Sequence, residues 1–371
     1  MEDKKLIYKI ALSQIEKIGS VLAKNLVSYC GGVEEVFSKQ LKDLIKIPGI
    51  NEILAKRILN KEVLKKAEKI ITENKKNNVN TLFYLDENYP SRLKNYNDSP
   101  IILYTKGTNE YNNLRTIAIV GTRDATSAGK YYTEKIIEEL LPYNVTIVSG
   151  LAFGIDATAH KTASKLHIPN IAIMGSGINV TYPAEHEKIR NNIEKKGDII
   201  SEFELNKSPE RGHFPMRNRI IAQLSDAMLV VESGIKGGAM ITAKLAFDYN
   251  KDVFAIPGRI DDPYSKGTNW LIKANIAALV DSGNDISKMM NWDLENETKP
   301  VQMELFSNLS KIEEIILDII RNTPDNNIHI DKLHYESRLP LSELSSVLLE
   351  LEFKSLIENL PGSRYGIKPG R

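Results

Sequence analysis

The residues best suited to chemistry fall in one short segment of this 371-residue chain, between positions 211 and 219. It contains Arg211, Phe214, Arg217, Asn218 and Arg219. Guanidinium groups bind phosphate oxygens through paired N–H donors, and an exposed aromatic ring can stack on a base. Several arginines beside an apolar run need an anionic partner. The segment therefore predicts a nucleic-acid site. One alternative stays open, in which the ring is core and one arginine pairs with Glu202 or Glu232.

Glycine-rich stretches follow four of the short apolar runs that predict strands. They contain Gly121, Thr122 and Arg123; Ser149, Gly150 and Gly154; Gly175 and Gly177; and Lys236, Gly237 and Gly238. Glycines let a polyanion approach the backbone, and the N-terminus of a following helix favours negative charge. Four such loops at one sheet edge predict a phosphate-bearing ligand. None has the spacing of a P-loop or of a dinucleotide-binding fingerprint.

No residue pattern indicates catalysis. Asp156 and His160 are spaced i, i+4, but a helix-capping carboxylate near a satisfied histidine explains them more simply. His160, His186 and His213 lack metal-ligand spacing, and Ser149 lacks the Gly-x-Ser-x-Gly context of a nucleophile. We therefore expect no enzyme activity, no catalytic residue, no metal and no cofactor.

Composition sets further bounds. The net charge of +1 excludes a uniformly basic nucleic-acid coat but not a basic groove on a neutral body. The single cysteine, Cys30, excludes an internal disulfide or a cysteine-cluster zinc site. The sequence contains no run of about 18 apolar residues, so it predicts no membrane span. The first residues do not resemble a signal peptide. A cytoplasmic protein with no membrane partner is expected.

The elements that would position the site divide into three predicted domains. Residues 1–80 predict helices and are basic, with 16 Lys and Arg against 10 Asp and Glu. Their turns at 17–20 and 47–50 favour a helix-hairpin-helix or SAM-like domain, in which backbone N–H groups can meet a phosphate. A turn in a small helical bundle is the alternative.

Residues 81–290 predict the core, with a linker-like stretch over 81–110. Near-continuous apolar runs alternate with helices, which is typical of a parallel sheet covered on both faces. The predicted strands are Thr116–Val120, Val145–Val148, Asn170–Met174, Ile199–Glu202, Ala227–Val231 and Asp252–Ile256, with a further short one at 278–280. The fold class expected is α/β, a Rossmann-like doubly wound parallel sheet.

Residues 305–371 predict a winged-helix-like domain after a polar linker at 291–303. Helices are expected at Ile312–Ile320, His329–Ser337 and Ser342–Glu350, followed by a hairpin from 355 to 367 that turns at 361–363. The third helix lacks Arg and Lys, so we expect a protein-interaction module rather than a duplex-DNA reader.

Many ordered motifs resemble the DprA/Smf (DNA-processing protein A) family, over about 85–272. The matching stretches are Tyr89-Pro90, Ile119–Arg123, Ser149–Asp156 with Ala159-His160, Tyr182-Pro183, Ser201–Phe203, Phe214–Ala222, Val231-Glu232, Ile241–Ala243, Pro257-Gly258 and Gly267–Ile272. Two positions depart from the family pattern: Gly237-Gly238 stands where Ser-Gly is usual, and Asn275-Ile276 where Gly-Ala is usual. The first leaves a hydroxyl contact at that loop in doubt.

The resemblance implies a non-enzymatic protein that binds single-stranded DNA, protects it and loads the RecA recombinase onto it during natural transformation. It also implies a homodimer, of which the sequence itself shows no signature. By matching position, the implied DNA contacts are Arg123, Arg211, Phe214, Arg217 and Arg219. The alternative function is a nucleotide-processing hydrolase similar to phosphoribohydrolases, against which the 233–238 loop argues because it lacks their Pro-Gly-Gly-x-Gly-Thr sequence.

Overall fold

The structure is a computed structural model that describes residues 2–292, 309–323, 327–354, 356–360 and 363–367. Contacts divide these residues into two units, before and after residue 295. Most of the predicted linker at 291–303 lies outside the described residues, as do Ser355, Pro361 and Gly362 of the predicted hairpin.

Six helices open the first unit, as the apolar periodicity predicts. They are α1 Glu2–Ser13, α2 Ser20–Cys30, α3 Val33–Ser38, α4 Leu41–Leu44, α5 Glu52–Ile58 and α6 Glu62–Lys76. Ile10, Leu26, Leu44 and Ile58 are fully buried among them, since residues three or four apart share one helix face. Asn51 begins α5, and its side chain accepts a hydrogen bond from the Leu54 N–H at 2.9 Å.

A nine-stranded sheet follows. Its strands are β1 Asn80–Phe83, β2 Ile102–Gly107, β3 Arg115–Val120, β4 Val145–Ser149, β5 Asn170–Met174, β6 Asp198–Ser201, β7 Ala227–Val230, β8 Asp252–Ala255 and β9 Ala278–Leu279. Their order across the sheet is β1-β2-β6-β5-β4-β3-β7-β8-β9, and β6 through β9 in that order are parallel. Each strand predicted from an apolar run is present within a residue or two.

The prediction of a linker-like stretch at 81–110 was wrong, because this segment contributes β1 and β2 to the sheet. Strand β2 pairs antiparallel with β6, and β1 pairs antiparallel with β2. Tyr89 and Leu93, between these strands, are fully buried. The segment extends the sheet at one edge and packs into its core.

Eight helices flank the sheet and explain why its strands are apolar on both faces. They are α7 Ser91–Lys94, α8 Ser127–Leu140, α9 Ile155–Lys165, α10 Glu187–Lys196, α11 His213–Leu224, α12 Gly238–Asp248, α13 Lys266–Lys273 and α14 Gly283–Met289. Along β3, Ile117 and Ile119 join the core cluster of Ile136 in α8, whereas Ala118 and Val120 join the opposite cluster, which includes residues of α11. Alternate side chains thus bury opposite sheet faces. The core is a Rossmann-like, doubly wound α/β fold.

The second unit has the helices and hairpin of a winged helix. Helices α15 Lys311–Arg321, α16 Ile330–Ser337 and α17 Leu341–Phe353 accompany a three-stranded sheet of β10 Asn327–His329, β11 Ile357–Leu360 and β12 Arg364–Ile367. Ser310 and Glu313 form a capping box at the start of α15. In this unit the periodicity did not predict strand β10, because three residues are too few to show alternation. Across the described residues of both units, no helix is long and apolar enough to cross a membrane.

Candidate functional site

The chain direction across the sheet reverses between β3 and β7, and a groove lies beyond their carboxyl ends. After β3 the chain builds outward through β4, β5 and β6, and it then returns to β7 on the other side of β3. In open parallel sheets this switch point leaves a crevice that ligands occupy. The groove there has a volume of about 720 Å³. We call it the switch-point groove. Nine predicted site residues line it: Gly121, Thr122, Arg123, Arg211, Phe214, Arg217, Asn218, Gly237 and Gly238.

Phe214 forms an aromatic and cationic cluster with two side chains in the switch-point groove. It lies in the first turn of α11 and is half-buried. The ring centroid of Tyr182 lies 5.6 Å from that of Phe214, at 45°. The guanidinium carbon of Arg123 lies 5.8 Å from the Phe214 centroid. A ring with a second aromatic and a cation close to it offers a stacking surface beside a group suited to bind a phosphate.

The loop that carries Arg123 is held in place by Glu232, at the end of β7. The Thr122 N–H donates to the Glu232 carbonyl at 2.7 Å. The Glu232 carboxylate accepts hydrogen bonds from the Thr126 N–H, at 3.0 Å, and from the Thr126 hydroxyl. Arg123 itself is exposed, as is Arg211. Arg123 thus projects freely from a fixed loop, which suits it to meet a charged ligand.

Arg217 differs from the other arginines because it is only 5 % exposed. Its guanidinium donates to the carbonyls of Gly150 and Ile173, the latter at 2.8 Å. Burial lowers the pKa of Arg217 to about 10, against the effect of Asp156, and the group remains charged at neutral pH. Arg217 therefore ties the ends of β4 and β5 together while one side of it reaches the groove.

Arg219 is not brought to the switch-point groove. It forms an ion pair with Glu202, and it donates a hydrogen bond to the Asp98 carbonyl at 2.6 Å. Burial raises the pKa of the Glu202 carboxyl, with Arg219 opposing the shift. One half of the alternative is therefore confirmed, since one arginine, Arg219, pairs with Glu202, whereas Phe214 is half-buried in the groove and is not a core residue.

Four further predicted residues lie outside the lining of this groove. Ser149 is fully buried and donates to the Ile119 carbonyl at 2.7 Å. Gly150 is buried behind Arg217, where a Cβ would collide with the guanidinium. Gly154 has a φ of +76° at the start of α9 and lines an adjoining groove. Lys236 is exposed on the loop after β7. Ser149 and Gly150 thus act in packing.

Gly237 and Gly238 begin α12 at the edge of the switch-point groove. Gly237 is the N-cap residue, and no side chain caps this helix. A Cβ at Gly238 would meet no atom within 4 Å. The glycine at 238 is therefore not required by packing, and the helix N-terminus can receive a negative charge.

Sequence reasoning assigned no role to several residues that the structure places at the site. Tyr182 was part of a motif but had no predicted contact. Lys130, Phe153 and Lys161 line the adjoining groove of about 540 Å³, which shares Arg123 with the first. We call it the α9 groove. These residues are scattered along the chain, so only the fold brings them together.

Asp156 and His160 are both buried, but Asp156 does not cap α9 as expected, because the N-cap residue is Gly154 and no side chain caps this helix. The Asp156 carboxylate accepts hydrogen bonds from the N–H groups of Gly150, at 3.1 Å, and Ala152, at 3.4 Å. His160 is fully buried, its Nδ1 lies 2.9 Å from Asn170 Oδ1, and burial lowers its pKa to about 4. In the part of the chain that the structure describes, no group of three His, Cys, Asp or Glu side chains could hold a metal ion.

Comparison with known families matches all three parts of the chain. Residues 80–291 match the model of DNA recombination-mediator protein A. Residues 9–61 match a SAM-like helix-hairpin-helix tandem, and residues 307–363 match the DprA winged helix domain. The first match alone spans more than half of the chain.

Individual relatives agree with these matches. Protein Smf of Synechocystis sp. is 30% identical over 98% of this chain and 99% of its own length. The crystal structure of DNA processing protein A from Streptococcus pneumoniae is 31% identical, with a TM-score of 0.67 over 77% of this chain and 98% of that one. The corresponding Helicobacter pylori protein, whose structure describes a single-stranded DNA binding mode, is 30% identical, with a TM-score of 0.53 over 58% of this chain and 97% of that one. On sequence, fold and domain content together, this chain belongs to the DNA recombination-mediator protein A (DprA/Smf) family.

Proposed function

We propose that this protein binds single-stranded DNA in the switch-point groove. The observation that carries the proposal is the cluster of Arg123, Phe214 and Tyr182 at the carboxyl edge of the sheet, beside the uncapped N-terminus of α12. The Helicobacter pylori relative, described as binding single-stranded DNA, supports the same ligand.

Each part of the groove has a distinct part in this binding. The exposed guanidinium groups of Arg123 and Arg211 neutralise phosphates, and the N–H groups at Gly238 receive another phosphate at the helix N-terminus. Phe214 stacks on a base. Because its ring is half-buried within the groove, a base must be unpaired to reach it, which favours single-stranded over duplex DNA.

The protein acts as a recombination mediator without catalysis: it protects incoming single-stranded DNA in the cytoplasm and loads RecA onto it during natural transformation. The family's description as a recombination mediator supports this role. The hydrolase alternative finds no support in the groove, because its buried carboxylate, Asp156, is engaged by two backbone N–H groups.

Homodimerisation is part of the proposal. Strand β9 is an edge strand of the nine-stranded sheet, and its Leu279 is 49% exposed. Ile260, in the loop after β8, is 90% exposed. An exposed apolar side chain on an edge strand, together with a second exposed apolar side chain on the same unit, suits a second copy of the chain. Sedimentation should show a dimer, and L279E should shift it toward the monomer.

We further propose three functional domains, 1–80, 81–290 and 305–371, the last acting as a protein-interaction module. Helix α17 supports that role, since it carries Glu343, Glu350 and Glu352 and no Lys or Arg. A phosphate-facing recognition helix would need cations.

A loading assay tests the mediator role. RecA would be presented with single-stranded DNA coated by a single-strand binding protein, and its DNA-dependent ATPase would be followed with and without this protein. Wild type should shorten the lag, whereas Phe214→Ala should not. Normal DNA binding by wild type with no effect on the lag would contradict RecA loading while leaving the DNA site standing.

A further inference from the structure

A third groove, of about 590 Å³, lies between α9 and α10 on the same unit, and lysines dominate it. We call it the lysine groove. Its lysines are Lys161, Lys165, Lys188, Lys195 and Lys196, and its lining includes one carboxylate, that of Glu185. The whole chain has a net charge of only +1, so this is a strong local excess of positive charge.

The spacing of these lysines along α9 and α10 places them on the helix faces that line the lysine groove. Lys161 and Lys165 are four residues apart on α9, so they share a face of that helix. Lys188 and Lys195, with Asn192 between them, recur at i, i+4 and i+7 on α10. Ile168 and Ile189 are buried beneath them. Two helices therefore present ammonium groups to a common cavity with an apolar floor.

The lysines are not matched by carboxylates. Among the described residues, Lys161, Lys165, Lys188 and Lys195 form no ion pair, although lysines elsewhere in the unit do, such as Lys106 with Glu194 at 2.9 Å. Lys196 Nζ lies 3.0 Å from the Nδ1 of His167, a ring nitrogen rather than a carboxylate. Uncompensated like charges that converge on one cavity attract a polyanion.

The lysine groove is continuous with the DNA site. Arg123 and Asp124 line both the switch-point groove and the α9 groove. Lys161 and His186 line both the α9 groove and the lysine groove. The three grooves therefore form one path that runs from Phe214, past α9, to the ends of α9 and α10.

We propose that single-stranded DNA continues along this path and that the lysine groove binds its phosphates beyond the bases held at Phe214. This inference rests on the proposed function, since it extends the same ligand. The point charge of a lysine on a flexible stem suits sequence-independent phosphate contact, whereas the aromatic cluster supplies stacking. The lysine groove thus sets how much DNA one protein covers rather than whether it binds.

Binding of short and long oligothymidylates tests the proposal. The variant replaces Lys165, Lys188, Lys195 and Lys196 with Gln and leaves Lys161, which also lines the α9 groove. A matched control replaces four exposed lysines of α6 and its N-cap, Lys61, Lys65, Lys69 and Lys76, with Gln. Affinity would be measured by fluorescence anisotropy across a salt series with a hexamer and an 18-mer.

The groove variant should bind the hexamer within twofold of wild type. With the 18-mer, its salt slope should be shallower by about 2 to 3, since each phosphate contact on a single strand contributes about 0.7. The control should match wild type on both lengths. Equal binding of the 18-mer by groove variant and wild type would overturn the lysine path alone. Failure of wild type to bind either length would overturn the proposed function, and this inference with it.

Lysine acetylation footprinting on the unmodified protein gives a test that needs no variant. The 18-mer should protect Lys165, Lys188 and Lys195 from the reagent, and the hexamer should leave them reactive. Should DNA of both lengths leave these lysines reactive while RecA protects them, the groove would be a docking site for an acidic protein surface, and the DNA path would be wrong.

Discussion

The guanidinium carbon of Arg123 lies 5.8 Å from the ring centroid of Phe214, although 91 positions separate the two residues in the chain. Arg123 follows β3, and Phe214 lies in the first turn of α11, before β7. Helix α11 packs against β3 and β4 and leads into β7, which runs parallel to β3, so its first turn lies at the carboxyl end of the sheet beside the loop that follows β3. A cation suited to bind a phosphate and a ring suited to stack on a base are thereby placed close together, and this pair is the core of the proposed site.

Arg123 and Arg217 should respond differently to the same substitution. Arg217→Met removes the hydrogen-bond donors to two buried carbonyls. It also removes the positive charge that stabilises the ionised form of the buried Asp156 carboxylate. The substitution should therefore lower the free energy of unfolding by about 3 kcal/mol or more. Arg123→Met removes an exposed side chain and should stay within about 0.5 kcal/mol of wild type. Urea unfolding measures both. Equal stability of the two variants would contradict a supporting role for Arg217.

Substitution of Gly238 and Gly150 should distinguish an effect on ligand binding from an effect on packing. Gly238→Ala adds a Cβ into open space, so stability should be preserved while affinity for single-stranded DNA falls by about tenfold, or ~1.4 kcal/mol. Gly150→Ala drives a Cβ into the Arg217 guanidinium and should cost about 1–3 kcal/mol of stability. Thermal unfolding and anisotropy together distinguish them. Unchanged DNA affinity in Gly238→Ala would show that no phosphate approaches that helix N-terminus.

Tyr182 should support Phe214 through its ring. Tyr182→Ala removes the packed aromatic neighbour and should weaken single-stranded DNA binding about 2- to 10-fold, the range that an aromatic pair contributes. Tyr182→Phe should bind as wild type does. If the phenylalanine variant lost as much affinity as the alanine variant, the hydroxyl rather than the ring would be the contact.

Burial of His160 should make stability depend on pH. Its pKa falls from 6.5 in the unfolded chain to about 4 in the folded one, so the unfolded state takes up the proton first as pH falls. Stability should therefore be lost progressively between about pH 6.5 and 4, by up to about 3 kcal/mol.

His160→Gln isolates this effect, because its amide can still donate to Asn170 Oδ1 while it does not titrate. Asp156 acts in the opposite sense, since burial raises its pKa and acid favours its folded form. Asp156 is present in both proteins, so its contribution cancels when the stability of wild type is compared with that of His160→Gln. Urea unfolding at several pH values gives this comparison. Parallel pH profiles for the two proteins would contradict a buried neutral histidine.

Much of the fold could be predicted because the parallel strands are buried on both faces. Apolar runs such as Val145–Val148 and Asn170–Met174 leave few alternatives to a central strand. Strands β1 and β2 were missed because Tyr89-Pro90 and Asp98-Ser99-Pro100 between them are typical of loops. What makes that segment part of the sheet is pairing of β2 with β6, about 95 residues away, and local sequence does not show it.

The structure brings nine of the fourteen predicted site residues to one groove, but it separates the arginines of the 211–219 segment. The spacing of Arg211, Arg217 and Arg219 indicated cations near a phosphate, but Arg211 precedes α11, and Arg217 and Arg219 point in different directions from that helix. Arg217 is buried among carbonyls, and Arg219 meets Glu202. The helical periodicity of α11 indicates that Arg217 is buried, because positions 217, 220, 221 and 224 form the buried face of this helix.

The most direct test of the central claim is a salt series of fluorescence anisotropy with single-stranded and duplex oligonucleotides of one sequence, for wild type, Arg123→Ala and Phe214→Ala. We predict clear preference of wild type for the single strand and weaker binding by both variants. Only Arg123→Ala should flatten the salt slope, by about 0.7, while Phe214→Ala should lose about 1–3 kcal/mol at unchanged slope. Equal binding of duplex and single strand, with neither variant affected, would contradict a single-stranded DNA site in the switch-point groove.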